Sequence, residues 1–191
     1  MKKVLGTKEI VITAVLLAIC IISQFFKNLS VFITGPVINA CLIIAVLSAG
    51  LASGIILSII TPVTAYIIAA SPVMMAVPGI IPLIMAGNAV LVLATYFLLK
   101  KDLTDGKGLR DIKSYLKAVV CALLKGLFMG LTISLWLLPT FISEESPLIK
   151  KLPVFQTMFS TTQFITACIG FVYAFIIWAA LSRFLRKSDL K

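Results

Sequence analysis

Residues 28–99 read NLSVFITGPVINACLIIAVLSAGLASGIILSIITPVTAYIIAASPVMMAVPGIIPLIMAGNAVLVLATYFLL, 72 positions without a single Asp, Glu, Lys or Arg. A helix needs about 20 apolar residues to cross a bilayer, so this stretch holds roughly three crossings. Breakers divide it at Gly35-Pro36, at Ser48-Ala49-Gly50 and over residues 71–82, where Pro72, Pro78 and Pro82 fall. The spans left between them are 37–47, 51–69 and 80–99. The first is short enough that a half-inserted segment stands as its alternative.

Working outward, residues 10–26 form an apolar span preceded by Thr7-Lys8-Glu9, with Thr7 in the N-cap position. Lys2 and Lys3 ahead of it resemble the basic start of a signal peptide, but no convincing small-residue cleavage site follows, and it is kept as a span. Beyond the charged segment 100–117 come spans at 118–138 and 158–185. The expected fold is an all-α integral membrane protein, a single six-helix bundle over residues 1–191. Composition agrees: 61% of the chain is hydrophobic and 13% charged, against about 45–50% and about 25% in soluble domains. A soluble domain of this length buries roughly two-thirds of its surface, so the apolar excess must face lipid.

Charge placement tests the span count independently. Of 17 Lys and Arg, thirteen fall on one side: Lys2, Lys3 and Lys8; Lys100, Lys101, Lys107, Arg110, Lys113 and Lys117; Arg183, Arg186, Lys187 and Lys191. Lys27, Lys150 and Lys151 fall on the other, and Lys125 lies within a span. The positive-inside rule then places both termini in the cytoplasm of a cell membrane, which an even number of spans requires. The net charge of +10 is thus mostly topology and not a nucleic-acid footprint, although the basic segments will attract anionic lipid headgroups.

Missing residue types exclude several chemistries. The chain has no His, hence no HExxH zinc site, bis-His haem or Ser-His-Asp triad. All seven acids (Glu9, Asp102, Asp105, Asp111, Glu144, Glu145 and Asp189) fall outside the spans or at a helix end, leaving no carboxylate relay for protons. No GxxxxGK[ST] loop is present, so energy for uphill transport has to come from a partner. Cys20, Cys41, Cys121 and Cys168 stand singly in apolar runs and read as reduced packing residues. No enzyme activity, metal or cofactor is expected.

Polar groups inside lipid need a reason, and Asn39, Asn88, Lys125 and Gln163 stand out. Counted at ~1.5 Å per residue from the outer helix ends, Asn88 and Gln163 both lie roughly 10 Å deep, with Asn39 nearer the surface. An outward-facing pocket that collects these amides would suit a ligand able to donate and accept hydrogen bonds. Interhelical hydrogen bonding is the alternative, equally open for Asn88 and Gln163 and favoured for Asn39. Lys125 has no acidic partner at its depth. It would either hold an anionic ligand group or snorkel to the cytoplasmic interface, and its closeness to Lys117, about two turns away, favours snorkelling.

The sixth span carries Gln156, Ser160, Gln163, Ala167, Gly170 and Ala174 at steps of three and four, a stripe polar in its outer half and small in its inner half. Such a stripe marks close packing more often than a ligand wall, but a pocket lined above and tightly packed below would also produce it. Gly126/Gly130 and Gly50/Gly54 form GxxxG pairs, and Ala14/Ala18 an AxxxA pair in the first span; each allows close helix approach. Trp136 and Tyr66 near the outer boundary and Trp178 near the inner one read as aromatic-belt anchors, with stacking on a ligand ring the second reading for the first two. Residues 141–153 form a longer outer loop, either a lid or a connector.

At this point the whole chain resembles the substrate-binding S components of energy-coupling factor (ECF) vitamin transporters of prokaryotes. The resemblance rests on size, six spans, cytoplasmic termini, Ala14 and Ala18 in the first span, and Pro/Gly-rich outer connections before the second and fourth spans. It implies a membrane subunit that captures a vitamin or related micronutrient at the outer face. A transmembrane scaffold subunit, docked along Ala14 and Ala18, and two cytoplasmic ATPases would then drive release as the subunit topples. It also implies a ligand in the outer half among the last three spans, closed by the first and third outer connections. Asn88, Trp136, Gln156, Ser160 and Gln163 occupy those places, with Asn39 and Tyr66 as neighbours. No signature for riboflavin, thiamine, biotin or folate is present. Two other classes stay open: an autonomous facilitator or channel, or an assembly factor without a ligand, and a lipid-acting intramembrane enzyme, which would want a nucleophile with a base or paired acids within the spans.

Overall fold

The computed structural model describes residues 6–26, 30–105 and 108–188, with the backbone alone at 110 and 183–188. It is 88% helical, without strands among the described residues, and six of its helical runs are long and apolar enough to cross a membrane. The chain is an integral membrane protein of six spans. They are α1 (Thr7–Gln24), α2 (Val31–Ala49), α3 (Leu51–Ala69), the short α4 (Pro72–Ala76), α5 (Ile80–Leu98), the short α6 (Lys100–Thr104), and α7 (Ile112–Met129). From α7 the chain runs through a π-helical segment (Gly130–Leu137) into α8 (Leu138–Phe141), then through α9 (Leu152–Met158) into α10 (Thr161–Ser188). Successive spans run antiparallel, so the turns preceding α2, α5 and α10 share the end of the bundle distal to the chain termini.

The second span is full length and not half-inserted. Gly35 and Pro36 lie inside α2, which starts six residues earlier than the breakers imply. Ser30 caps it, its hydroxyl accepting from the Phe32 N–H at 3.1 Å. Pro36 costs α2 one backbone hydrogen bond, but Gly35 beside it lets Thr166 of α10 approach: a Cβ there would sit 3.0 Å from the Thr166 side chain. The α2 helix is the bundle's axis, with every residue from 39 to 47 buried, packed against α1, α3, α5 and α10. The turn expected at 48–50 is present as a one-residue connection, with Gly50 at φ +92°, a conformation that favours glycine. The N-cap of α1 is Gly6 and not Thr7, which is already helical.

In the half nearer the termini, small residues replace volume. A Cβ on Gly170 would lie 2.6 Å from the Asn39 Cβ and 3.1 Å from the Pro36 carbonyl oxygen, and one on Gly54 would meet Val46 and Val92 at 2.8 Å. Ala122, Cys121, Ala167 and Ala174 are fully enclosed there, as is Cys20 nearer the distal end of α1. The four cysteines are unpaired thiols, as expected. Trp178 is a core residue and not a belt anchor: it is 4% exposed and its indole N–H donates to the Leu103 carbonyl at 3.1 Å. That contact clamps α6 under α10 and buries the one polar atom of the ring. Lys117 forms an ion pair with Asp102, tying α6 to the start of α7.

The distal half is irregular. Around the bulge the Leu138 N–H bonds five residues back, to the Ile133 carbonyl; the next bond of that register would need an N–H from residue 139, which is proline. The released Ser134 carbonyl accepts instead from Gln156 Nε2 at 3.0 Å, and the Ser134 hydroxyl donates to the Gln156 carbonyl at 2.8 Å. A second apolar cluster, with Val73 and Val77 beside Leu138, Ile142 and Phe155, packs the distal connections onto one another.

Candidate ligand site

Lys125 sits about midway along the helical run 112–141, on the face of α7 that also carries Ala118, Cys121, Ala122 and Met129, all buried. That face points at the axis of the bundle, and the lysine goes with it. It is 2% exposed. Its ammonium donates to Asn39 Oδ1 of α2 at 2.6 Å and to Asn88 Oδ1 of α5 at 2.8 Å. The snorkelling favoured by its spacing from Lys117 is therefore not what the side chain does: about 20 Å of helix separates it from the start of α7, and its head faces inward. An ammonium has only donors, so the amide oxygens of both asparagines must turn toward it. The Asn39 amide nitrogen faces Thr166 Oγ1 at 3.5 Å, and that hydroxyl donates to the Gln163 carbonyl at 3.2 Å.

These groups form one end of a cavity of about 390 Å³. Asn39, Asn88 and Gln163, whose amides were expected to share a pocket or to bond across helices, all line the cavity together with Lys125, and Asn39 and Asn88 are also bonded across helices through the lysine. The Gln163 amide nitrogen donates to the Met158 carbonyl at 3.3 Å. The walls are largely apolar, with Ile38, Pro62, Ile84, Met129, Met158 and Phe159, and the rim at the distal end is formed by Ser30, Ala69 and Ser71. Toward the termini the cavity stops, because Leu91, Ala122 and Ala167 below it are 0% exposed. It is a blind pocket.

Four residues placed near the ligand by their position along the chain lie elsewhere. Gln156 and Ser160 hold the π segment and the α9–α10 kink: the Ser160 hydroxyl donates to the Gln156 carbonyl at 2.6 Å, and both line a groove on the outside of the bundle between α7 and α10. Trp136 is 60% exposed and Tyr66 39% exposed, and neither lines the cavity. The GxxxG pair at Gly126 and Gly130 faces Phe164 and Ser160, so it packs α7 against α10. Ala14 and Ala18 are exposed on α1, in an apolar strip with Val11, Val15, Ile19 and Ile22.

Sequence reasoning passed over Thr34, Thr61 and Thr166, and also Gln24. Gln24 is fully buried and donates from Nε2 to the Thr61 carbonyl at 3.0 Å, pinning α1 to α3 beside the cavity. For Lys125 the signal was available in the step pattern 118, 121, 122, 125, 129, which places it on the buried stripe. Among the described residues no cluster of His, Cys, Asp or Glu could hold a metal. Comparison with protein-family models, with characterised proteins and with solved structures gives no match.

Proposed function

We propose that this protein is the solute-capturing membrane subunit of an uptake system of the ECF type, taking a vitamin-like micronutrient from the outer face of a prokaryotic cell membrane. The observation that supports this most is the blind cavity at the end distal to the termini, with three side chains from α2, α5 and α7 converging on its floor. Polar groups this deep are expensive unless they serve one another or a ligand. A closed floor of fully enclosed residues suits capture better than passage, and so favours this reading over a facilitator. The excess of basic residues on the terminal side supports cytoplasmic termini and an outward-opening pocket. Release would then need a partner, a transmembrane scaffold with two ATPases, for which the exposed strip at Ala14 and Ala18 offers a smooth lane.

Gently purified protein should release a stoichiometric small molecule on denaturation, detected by mass spectrometry. Replacing Asn88 or Gln163 with Leu should weaken rebinding of that molecule by about 1–3 kcal/mol per lost partner. Recovery of no small molecule, or unchanged affinity in both folded variants, would remove the capture role.

A further inference from the structure

We propose that the captured solute is a monoanion, a carboxylate joined to an apolar body, seated head-down with the carboxylate on Lys125. This deepens the capture reading above and rests on it. The argument starts from charge. Lys125 lines the cavity at its closed end, and the only ion pair among the described residues is Lys117 with Asp102, in the charged segment. No described carboxylate lines the cavity: its polar wall consists of Ser30, Thr34, Asn39, Thr61, Ser71, Asn88 and Gln163 around the one lysine.

Two amide oxygens solvate the ammonium without neutralising it. An ammonium stays charged in an apolar interior when a partner of opposite sign faces it, and gives up its proton when none does. Among the described residues no acid reaches Nζ, so a carboxylate brought by the ligand is the partner that fits. One positive charge balances one negative charge; a phosphate carrying two would leave a net charge buried, and a cation would meet Lys125 with repulsion.

Hydrogen bonding points the same way. Lys125 has three N–H donors and uses two, on Asn39 and Asn88. With its oxygen turned to Nζ, the Asn88 amide keeps its NH2 for another acceptor, and no described group accepts from it. A carboxylate has two acceptor oxygens and no donor when ionised, matching the third Nζ proton and the Asn88 NH2. Above this floor the walls are Met129, Met158, Phe159, Ile38 and Ile84. Thioether and aliphatic side chains adapt to an apolar body, and about 390 Å³ sits at the small end of ligand pockets, which run roughly 300–1,000 Å³.

The test uses the full chain in lipid nanodiscs. The compound released from purified protein is identified and its charge at pH 7 recorded; that compound and its carboxamide are then the titration probes, with benzoate, nicotinate and indole-3-acetate and their carboxamides as a fixed panel. The acid is expected to bind wild type, and Lys125→Met to weaken it by about 100-fold or more, as for loss of one partner of a buried charge pair. The carboxamide should bind wild type weakly and change by less than about threefold in Lys125→Met, since it places no charge at Nζ. Lys125→Arg, which keeps the charge, should retain the preference for acid over amide. Ligand-free Lys125→Met should unfold at a temperature close to wild type, because loss of the buried charge offsets the Asn39 and Asn88 amide oxygens left without a donor. A released compound that is neutral or cationic, an amide bound as well as its acid, or a Lys125→Met variant that unfolds earlier yet binds the acid normally would each overturn the proposal while leaving capture intact. No released compound and no binding by either panel would instead overturn both.

Discussion

The last span shows two ways of using one helix face. Near its start Gln163 borders the cavity and Thr166 supports the Asn39 amide; from Ala167 through Gly170 to Ala174 the same face is sealed against α2. The two halves of the bundle differ likewise. Toward the termini, small residues such as Gly54, Ala122 and Ala174 let the helices approach closely around larger core side chains such as Leu42 and Trp178, and dispersion contacts replace the hydrophobic drive that lipid cannot supply. Toward the distal end the backbone is broken by the π segment, by the α9–α10 kink and by α4, and polar side chains occupy the backbone groups released there. Space for a ligand exists where regular packing has been given up, and the position of its floor is set where packing resumes.

The largest expected effect in breaking this contrast comes from Gly170→Leu. Its Cβ would lie against backbone of α2, at 3.1 Å from the Pro36 oxygen and 3.2 Å from the Ala40 nitrogen, which cannot yield as a flexible side chain would. The substitution should destabilise the bundle by on the order of 3 kcal/mol, read as a lowered unfolding midpoint in detergent. A midpoint unchanged from wild type would mean that α2 and α10 do not meet as described.

An intermediate effect is expected in the irregular half. Gln156→Ala removes the donor on the Ser134 carbonyl and should cost about 1–3 kcal/mol for an unsatisfied buried acceptor. Gln156→Glu should lose a similar amount, because an ionised carboxylate cannot donate. Stability equal to wild type in both would show that the π segment is held by packing alone.

The smallest effect sharpens the comparison from outside. Ala14 is exposed, so Ala14→Trp should change unfolding by no more than about 0.5 kcal/mol, with ligand affinity of the solitary protein unchanged. If the strip meets a scaffold subunit, the same variant should abolish ATP-dependent uptake and assembly. Wild-type uptake would remove the docking role.

Much of the fold was legible because lipid imposes a coarse rule on sequence. Charge-free runs of fixed length and breakers between them counted six spans, and the boundaries erred mainly where a breaker proved to be inside a helix, at Gly35 and Pro36. Local propensity misled there because Ser30 caps α2 and Thr166 takes the space that Gly35 leaves, neither visible from the dipeptide. In the candidate site, depth along the helix placed Asn88 and Gln163 together but left Asn39 too near the surface, because α2 starts at Val31 and carries Asn39 down to the same ammonium as Asn88. Depth alone misplaced Gln156, Ser160, Trp136 and Tyr66, since it ignores which way each helix face turns. Trp178 failed for the same reason: its position near an end suggested a belt, while its face pointed at Leu103.

Composition, span length and the clustering of basic residues therefore determine that this chain is a six-helix membrane protein with an uneven charge distribution, because transfer to lipid is nearly additive in residues. Tertiary structure alone decided the fate of Lys125. A lone lysine two turns into a span has the reach to snorkel, and no feature of its neighbours in the chain forbids it. What turns it inward is the packing of α7 with Ala118, Cys121 and Met129 against the axis, and what keeps it there is a pair of amide oxygens from helices 86 and 37 residues away in the chain. Interactions between such distant residues depend on how helix faces are rotated and how closely they approach, quantities that additive hydropathy does not contain.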